Sequence, residues 1–128
     1  MSEQSLVLVV EDNEANQLLA RWVLEREGYR VEVASAADEA LEKVGEKLPN
    51  LILMDIQLPG QDGLSLTRQL KSSLTTANIP IIALTAHAMI GDREATIAAG
   101  CAGYIAKPID TRTLGDQIRE ILSLATVT

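Results

Sequence analysis

Polar residues directly follow four of the short apolar runs in this sequence, and together they could carry phosphoryl chemistry. Glu11 and Asp12 follow the first run, and Asp55 follows the third. Thr85 follows the fourth run, and Lys107 follows the fifth. A carboxylate can act as a nucleophile toward phosphorus and form an aspartyl phosphate. A metal ion, a lysine and hydrogen-bond donors are the groups that stabilise a transferring phosphoryl group.

The three acidic residues also predict a metal site. Carboxylates that converge repel one another unless a cation neutralises them. A small number of carboxylates with bound water is the coordination that Mg²⁺ prefers in proteins. If Glu11, Asp12 and Asp55 meet, we therefore expect them to bind magnesium.

Each of these residues also has a simpler interpretation when it is considered alone. The pair Asp12-Asn13 could only cap a helix. Thr85 could be a turn residue, and Lys107 could be a solvated lysine at the entrance of a loop. Their joint position after successive apolar runs is what favours a functional site.

Two hydrophobic periodicities alternate along the chain and predict five β-α units. Five short apolar runs, rich in β-branched residues, predict buried parallel strands at 6–10, 31–34, 51–54, 79–84 and 103–106. Helical patterns are predicted at 14–27, from about 37 to 44, and at 63–73, 88–99 and 114–125.

Two details of the predicted helices can be checked against the structure. In the first helix, Leu18, Leu19, Trp22 and Val23 form an apolar stripe, and we expect Trp22 to be a packing residue. In the second helix, Ser35 with an acidic residue three positions later resembles a capping box.

Strict alternation of strands and helices implies an open parallel sheet with helices on both faces, which is an α/β fold. Right-handed crossovers place the carboxyl ends of all strands along one edge. Ligands bind outside that edge, where the strand order reverses. The polar residues named above lie at this edge.

The composition limits the domain count and the class of partner. The 128 residues fit one domain, 1–128 with a core of about 5–124, and 47% of them are apolar. A net charge of −7 argues against binding to a nucleic-acid backbone. A lone cysteine, Cys101, fits a reducing cytoplasm. The start of the chain predicts neither a signal peptide nor a membrane segment.

Four motifs make the chain resemble a response-regulator receiver domain of the two-component and phosphorelay family. They are LVVEDN at 8–13, LILMDIQLPGQDG at 51–63, ALTA at 83–86 and AAGCAGYIAKPI at 98–109. The resemblance covers roughly residues 5 to 124. It implies a flavodoxin-like three-layer sandwich with strand order 2-1-3-4-5 and five helices. The segment from 83 to 100 is closest to stand-alone receivers and to the receivers of hybrid histidine kinases.

The resemblance also implies roles for individual residues. Asp55 matches the phospho-accepting aspartate, and Lys107 the lysine that pairs with it. Asp12 matches the direct Mg²⁺ ligand and Glu11 its partner, with Glu in place of the commoner Asp. The backbone carbonyl of Gln57 would complete the protein ligands of the metal.

Further implied roles concern the switch and the lifetime of the phosphoryl group. Thr85 matches the switching hydroxyl, Tyr104 the aromatic residue that changes rotamer with it, and the backbone amide of Ala86 a further donor. Gln57 and His87 occupy the positions that tune dephosphorylation, although His87 could equally be an exposed residue at a helix start.

The resemblance implies a signalling switch rather than an enzyme in the ordinary sense. Its phosphoryl donor would be a histidine kinase or a histidine phosphotransfer protein, and its output the binding of a downstream protein. Donors of this family usually dock at helix one and the loop at Pro108-Ile109, so Trp22 could alternatively lie near a partner surface.

A related aspartyl-phosphate hydrolase would need an acid two residues after Asp55, where Gln57 stands. A flavodoxin-like redox carrier would need a phosphate-binding loop after the first strand, where Glu11 and Asp12 would repel phosphate. A receiver that has lost phosphorylation would not need this complete set of residues.

Overall fold

The computed structural model describes residues 5–58, 60–86 and 90–126, together with their side chains except those of 90–92 and 124–126. Five strands and five helices alternate along the chain. The strands are β1 Leu6–Val10, β2 Arg30–Ala34, β3 Leu51–Asp55, β4 Ile81–Thr85 and β5 Gly103–Ala106. The helices are α1 Glu14–Arg26, α2 Ala37–Glu46, α3 Gly63–Lys71, α4 Ile90–Ala99 and α5 Leu114–Thr126.

The strands form one parallel sheet in the order β2-β1-β3-β4-β5. This is the flavodoxin-like order expected from the resemblance. The chain runs outward from β1 to β2 and then crosses back to β3 on the other side of β1. The strand order therefore reverses between β1 and β3, and a crevice for a ligand is expected beside their carboxyl ends.

The side chains of the central strands belong alternately to two apolar cores, one on each face of the sheet, because successive side chains of a strand point to opposite faces. On one face, Leu8 and Met54 belong to the core that α2 and α3 cover. On the other face, Val9 and Leu53 belong to the core that α1 and α5 cover. This burial on both faces explains why the strands are continuously apolar in sequence.

Several predicted element boundaries differ from the structure by one or two residues. β4 begins at Ile81 rather than 79, because Pro80 has no backbone N–H to donate to the ladder. The predicted capping box is wrong: the N-cap of α2 is Ala36, which makes no side-chain cap bond. Instead, the Glu39 carboxylate accepts a hydrogen bond from the backbone N–H of Ser35.

The predicted packing face of α1 is wrong for three of its four residues. Trp22 is 56% exposed and Leu18 is 67% exposed, while Ala20, Val23 and Leu24 are buried. The helix therefore packs on the sheet through the face that carries Ala20, whose small side chain permits a close approach. Among the described residues, none of the helices has the length and apolarity that a membrane span requires.

Candidate phosphoryl and metal site

The three acidic residues lie together at the carboxyl ends of β1 and β3. β1 ends at Val10, so Glu11 and Asp12 begin the loop that leads into α1, while Asp55 is the last residue of β3. A carboxylate oxygen from each of the three acidic residues lies within 4.8 Å of the other two. Glu11 and Asp55 are buried, whereas Asp12 is exposed. We refer to Glu11, Asp12 and Asp55 as the acidic cluster.

Lys107 brings one positive charge to the acidic cluster from the end of β5. Its Nζ lies 2.9 Å from Glu11 Oε2 and 3.1 Å from Asp55 Oδ2. Burial alone would lower the pKa of Lys107, but its hydrogen bonds and its attraction to the two carboxylates outweigh burial and raise that pKa. Lys107 therefore remains an ammonium at neutral pH.

Backbone and amide donors orient the two buried carboxylates. The backbone N–H of Gln57 donates to Asp55 Oδ1 at 2.9 Å, which leaves Oδ2 to face Lys107. Glu11 Oε1 accepts from the backbone N–H of Asn13 at 3.2 Å and from Asn16 Nδ2 at 3.4 Å. These donors give each carboxylate a fixed orientation before any ligand is bound.

The residues of the acidic cluster fit a hard divalent cation. Glu11 Oε2 is buried, and Lys107 Nζ at 2.9 Å is its one close polar partner among the described residues. Three carboxylates against one ammonium leave two excess negative charges. Oxygen ligands with excess negative charge are what Mg²⁺ selects.

The residues predicted for the switch lie on the neighbouring strands. Thr85 is buried at the end of β4, where its carbonyl accepts a 2.7 Å hydrogen bond from the backbone N–H of Lys107. Exposed Ala86 follows it. Tyr104 in β5 is half-buried, and the Arg93 guanidinium of α4 lies 5.7 Å from the centre of its ring. Tyr104 is thus placed between the sheet and α4.

Of the two residues predicted to influence dephosphorylation, the structure describes only Gln57. Gln57 is exposed two residues after Asp55, and its backbone N–H rather than its side chain has a described contact with Asp55. His87 lies outside the described residues. The Lys107–Pro108 peptide bond, which leaves the site, is cis.

Sequence reasoning missed the contribution of α1 to the site. Asn16 and Gln17 were not among the predicted site residues, yet both contact Glu11, since Gln17 Nε2 donates to its backbone carbonyl at 2.5 Å. Gln17 Nε2 also donates to Ser35 Oγ at 3.2 Å. Both amides share a face with the buried residue Ala20, but hydrophobicity favours the face that carries Trp22, so no sequence signal identified these contacts.

Comparisons with known proteins agree with this geometry. A family model described as the response regulator receiver domain matches residues 7–119. The polar-differentiation response regulator DivK of Brucella ovis is 44% identical over 116 residues, which cover 91% of this chain and 94% of that protein. DivK of Brucella anthropi shows the same identity and coverage.

Solved structures show the same similarity. A response regulator receiver domain protein from Methanospirillum hungatei has a TM-score of 0.85 and 32% identity, covering 95% of this chain and 96% of its own. The receiver domain of a sensor histidine kinase from Pseudomonas aeruginosa was solved with a magnesium ion coordinated in the active site cleft. It has a TM-score of 0.84 and 36% identity, covering 94% of this chain and 99% of its own. The chain therefore belongs to the receiver domains of two-component response regulators.

Proposed function

We propose that this receiver domain takes a phosphoryl group from a phosphohistidine onto Asp55 in a magnesium-dependent reaction. The observation that carries the proposal is the meeting of Glu11, Asp55 and Lys107 at the reversal of the strand order. Protein residues from three separate β-α junctions supply a nucleophile, an ammonium and a place for a cation within one crevice.

Asp55, Gln57 and Lys107 have different proposed roles in the phosphoryl transfer. An Asp55 oxygen forms the new bond to phosphorus as the bond from phosphorus to the donor histidine nitrogen breaks, and the imidazole keeps the electron pair and takes up a proton. Gln57 N–H and Lys107 orient the carboxylate before attack. Lys107, which lies beside Asp55 Oδ2, is then within reach of the phosphoryl oxygens and balances their charge.

The acidic cluster and the Gln57 backbone carbonyl would hold the metal. When bound, Mg²⁺ neutralises the cluster and the incoming phosphoryl oxygens by direct charge interaction. Asp12 is suited to direct ligation because it is exposed to the crevice. Glu11 is suited to hold a metal-bound water through its buried Oε2.

The output of the switch is proposed to be a change of surface rather than a chemical product. Thr85, assisted by the Ala86 amide, would turn toward the phosphoryl group, and Tyr104 would follow it. The surface of α4, β5 and α5 would then bind a downstream protein target differently. Tyr104 supports this because it links the sheet to Arg93 of α4. Gln57 and His87 are proposed to influence how long the phosphoryl group persists.

The proposed donor is a histidine kinase or a histidine phosphotransfer protein, and the proposed location is the cytoplasm. Two observations support docking of the donor at α1. This helix begins two residues after Asp12, and it exposes Leu18 and Trp22. An acidic chain with net charge −7 is unsuited to direct contact with nucleic acid.

The proposal is tested by incubation with acetyl phosphate and Mg²⁺, followed by measurement of the intact mass. We expect one added phosphoryl group on the native protein and none after chelation of magnesium. Asp55→Asn should remain unlabelled, and continued labelling of that variant would contradict the proposal. Lys107→Ala should still bind Mg²⁺ but fail to transmit phosphorylation to the binding of the target.

A further inference from the structure

We infer that Asn16 is a positioning residue, which holds the Glu11 carboxylate in place for the cation. The inference rests on the proposed magnesium-dependent function and concerns a residue outside the acidic cluster. It starts from an asymmetry within one carboxylate. Glu11 Oε1 has two hydrogen-bond donors from the start of α1, while the described partner of the buried Oε2 is the Lys107 ammonium, 2.9 Å away.

The two donors to Oε1 come from the N-cap and the first turn of α1. The Asn13 backbone N–H lies 3.2 Å from this oxygen, and Asn16 Nδ2 lies 3.4 Å from it. Together they prevent the carboxylate from rotating about its last bond. Oε2 is therefore kept toward Lys107 and the acidic cluster, where a cation or its bound water would lie.

We refer to the hydrogen bond from Asn16 Nδ2 to Glu11 Oε1 as the tether of Glu11. A glutamate needs this bond more than an aspartate would. Glu11 has one more rotatable bond than Asp, so its carboxylate has more orientations to lose when it is fixed. The additional methylene also lets the carboxylate reach Asn16, five residues later in the chain. Gln17 meanwhile holds the backbone of the same residue by donating to the Glu11 carbonyl. Consecutive amides of α1 thus fix the side chain and the main chain of Glu11.

Helix stability does not explain why an asparagine occupies position 16. The N-cap of α1 is Asn13, which accepts the Asn16 backbone N–H through its side chain, so the Asn16 side chain is not needed as a cap. Asparagine is also a poorer helix former than alanine. A substitution of Asn16 by Ala should therefore leave the stability of the domain unchanged or slightly higher, while it removes the tether.

The test measures Mg²⁺ binding directly, without phosphorylation. Isothermal titration with MgCl₂ is carried out on the native protein, Asn16→Ala, Glu11→Asp and the double variant, with urea unfolding as the measure of stability. The matched control is Asn78→Ala, since Asn78 is an exposed asparagine before β4, at the opposite edge of the sheet.

We expect Asn16→Ala to bind Mg²⁺ roughly three- to tenfold more weakly, which is the range for loss of one hydrogen bond. Its urea midpoint should not fall, and Asn78→Ala should bind as the native protein does. In the Glu11→Asp background, whose shorter arm cannot reach Asn16, the same substitution should change affinity by less than about twofold.

Three results would overturn the inference. They are an unchanged affinity in Asn16→Ala, an equal loss in the Glu11→Asp background, and a parallel loss of affinity and stability. If the native protein itself failed to bind Mg²⁺, the proposed function would fall and the inference with it. Normal binding by the native protein and by Asn16→Ala alike would overturn the inference alone.

Discussion

Removing one negative charge from the acidic cluster should stabilise the domain when magnesium is absent. Asp12→Asn is the suitable substitution, because Asp12 is exposed and has the same shape as asparagine, so that packing is unaffected. Glu11 and Asp55 cannot serve as well, since each is buried beside Lys107 and its substitution would also break an ion pair.

The magnitude follows from the spacing of the carboxylates. Oxygens of the cluster lie within 4.8 Å of one another. At that distance two unit charges repel by about 0.9 kcal/mol in water and by about 3.5 kcal/mol at an effective dielectric constant of 20. Because Asp12 is exposed, the lower figure applies to each of its two pairs. Attraction to Lys107 offsets part of their sum. We expect the free energy of unfolding of Asp12→Asn to rise by about 1 kcal/mol.

The assay is urea unfolding in EDTA and again with saturating Mg²⁺. In EDTA the variant should be the more stable protein. With the metal at about 100 times its dissociation constant, the native protein should gain about 2.7 kcal/mol in unfolding free energy, and the variant, which lacks the proposed ligand, should gain much less. With Mg²⁺, the difference in unfolding free energy between Asp12→Asn and the native protein should therefore become smaller or change sign.

A matched control separates local repulsion from the overall negative charge. Glu42→Gln removes one charge from an exposed position of α2, away from the cluster, and should change stability by less than about 0.5 kcal/mol. Equal stabilisation by both substitutions would show that net charge rather than the cluster is responsible. An equal effect of Mg²⁺ on Asp12→Asn and the native protein would refute the assignment of Asp12 as a ligand.

Two further predictions concern Gly63 and Lys107, which both lie next to Asp55. A Cβ at Gly63 would lie 2.2 Å from the Asp55 carbonyl oxygen, whereas one at Gly45 would meet no heavy atom within 4 Å. In urea unfolding, Gly63→Ala should therefore lower the free energy of unfolding by about 1–3 kcal/mol, and Gly45→Ala should raise it by about 0.5–1 kcal/mol. A change of the same sign in both would contradict the close approach of α3 to the Asp55 backbone. The raised pKa of Lys107 means that the stability from its ion pairs is complete below the ordinary lysine pKa and is lost as pH rises through the raised value. The difference in unfolding free energy between the native protein and Lys107→Met should then be constant from about pH 7 to 9.5 and shrink only above about pH 10.5, and its disappearance near pH 8 would be inconsistent with this ion pairing.

The strands and their shared edge could be predicted from the sequence because burial on both faces leaves a simple signal. Each central strand is a short apolar run, and the residue after it had to emerge at the carboxyl edge. Chemistry at that edge therefore followed from Glu11, Asp55 and Lys107. The strand order itself came from the resemblance to the receiver family, since alternation alone does not fix it.

The rotation of α1 could not be predicted from hydrophobicity because its larger apolar residues face outward. Trp22 and Leu18 dominate the apolar stripe in sequence, yet small Ala20 faces the sheet. With α1 in this orientation, Asn16 and Gln17 donate hydrogen bonds to Glu11. No repeating pattern in the sequence indicates these contacts. The tether of Glu11 is therefore a feature that only coordinates show.

The most direct measurement identifies the residue that carries the phosphoryl group. After reaction with acetyl phosphate and Mg²⁺, borohydride reduces an acyl phosphate of aspartate to homoserine, and mass spectrometry of peptides locates it. We predict homoserine at position 55 and its absence when magnesium is chelated. Homoserine at position 12, or a phosphoryl group that resists borohydride because it lies on a hydroxyl or imidazole, would contradict the account.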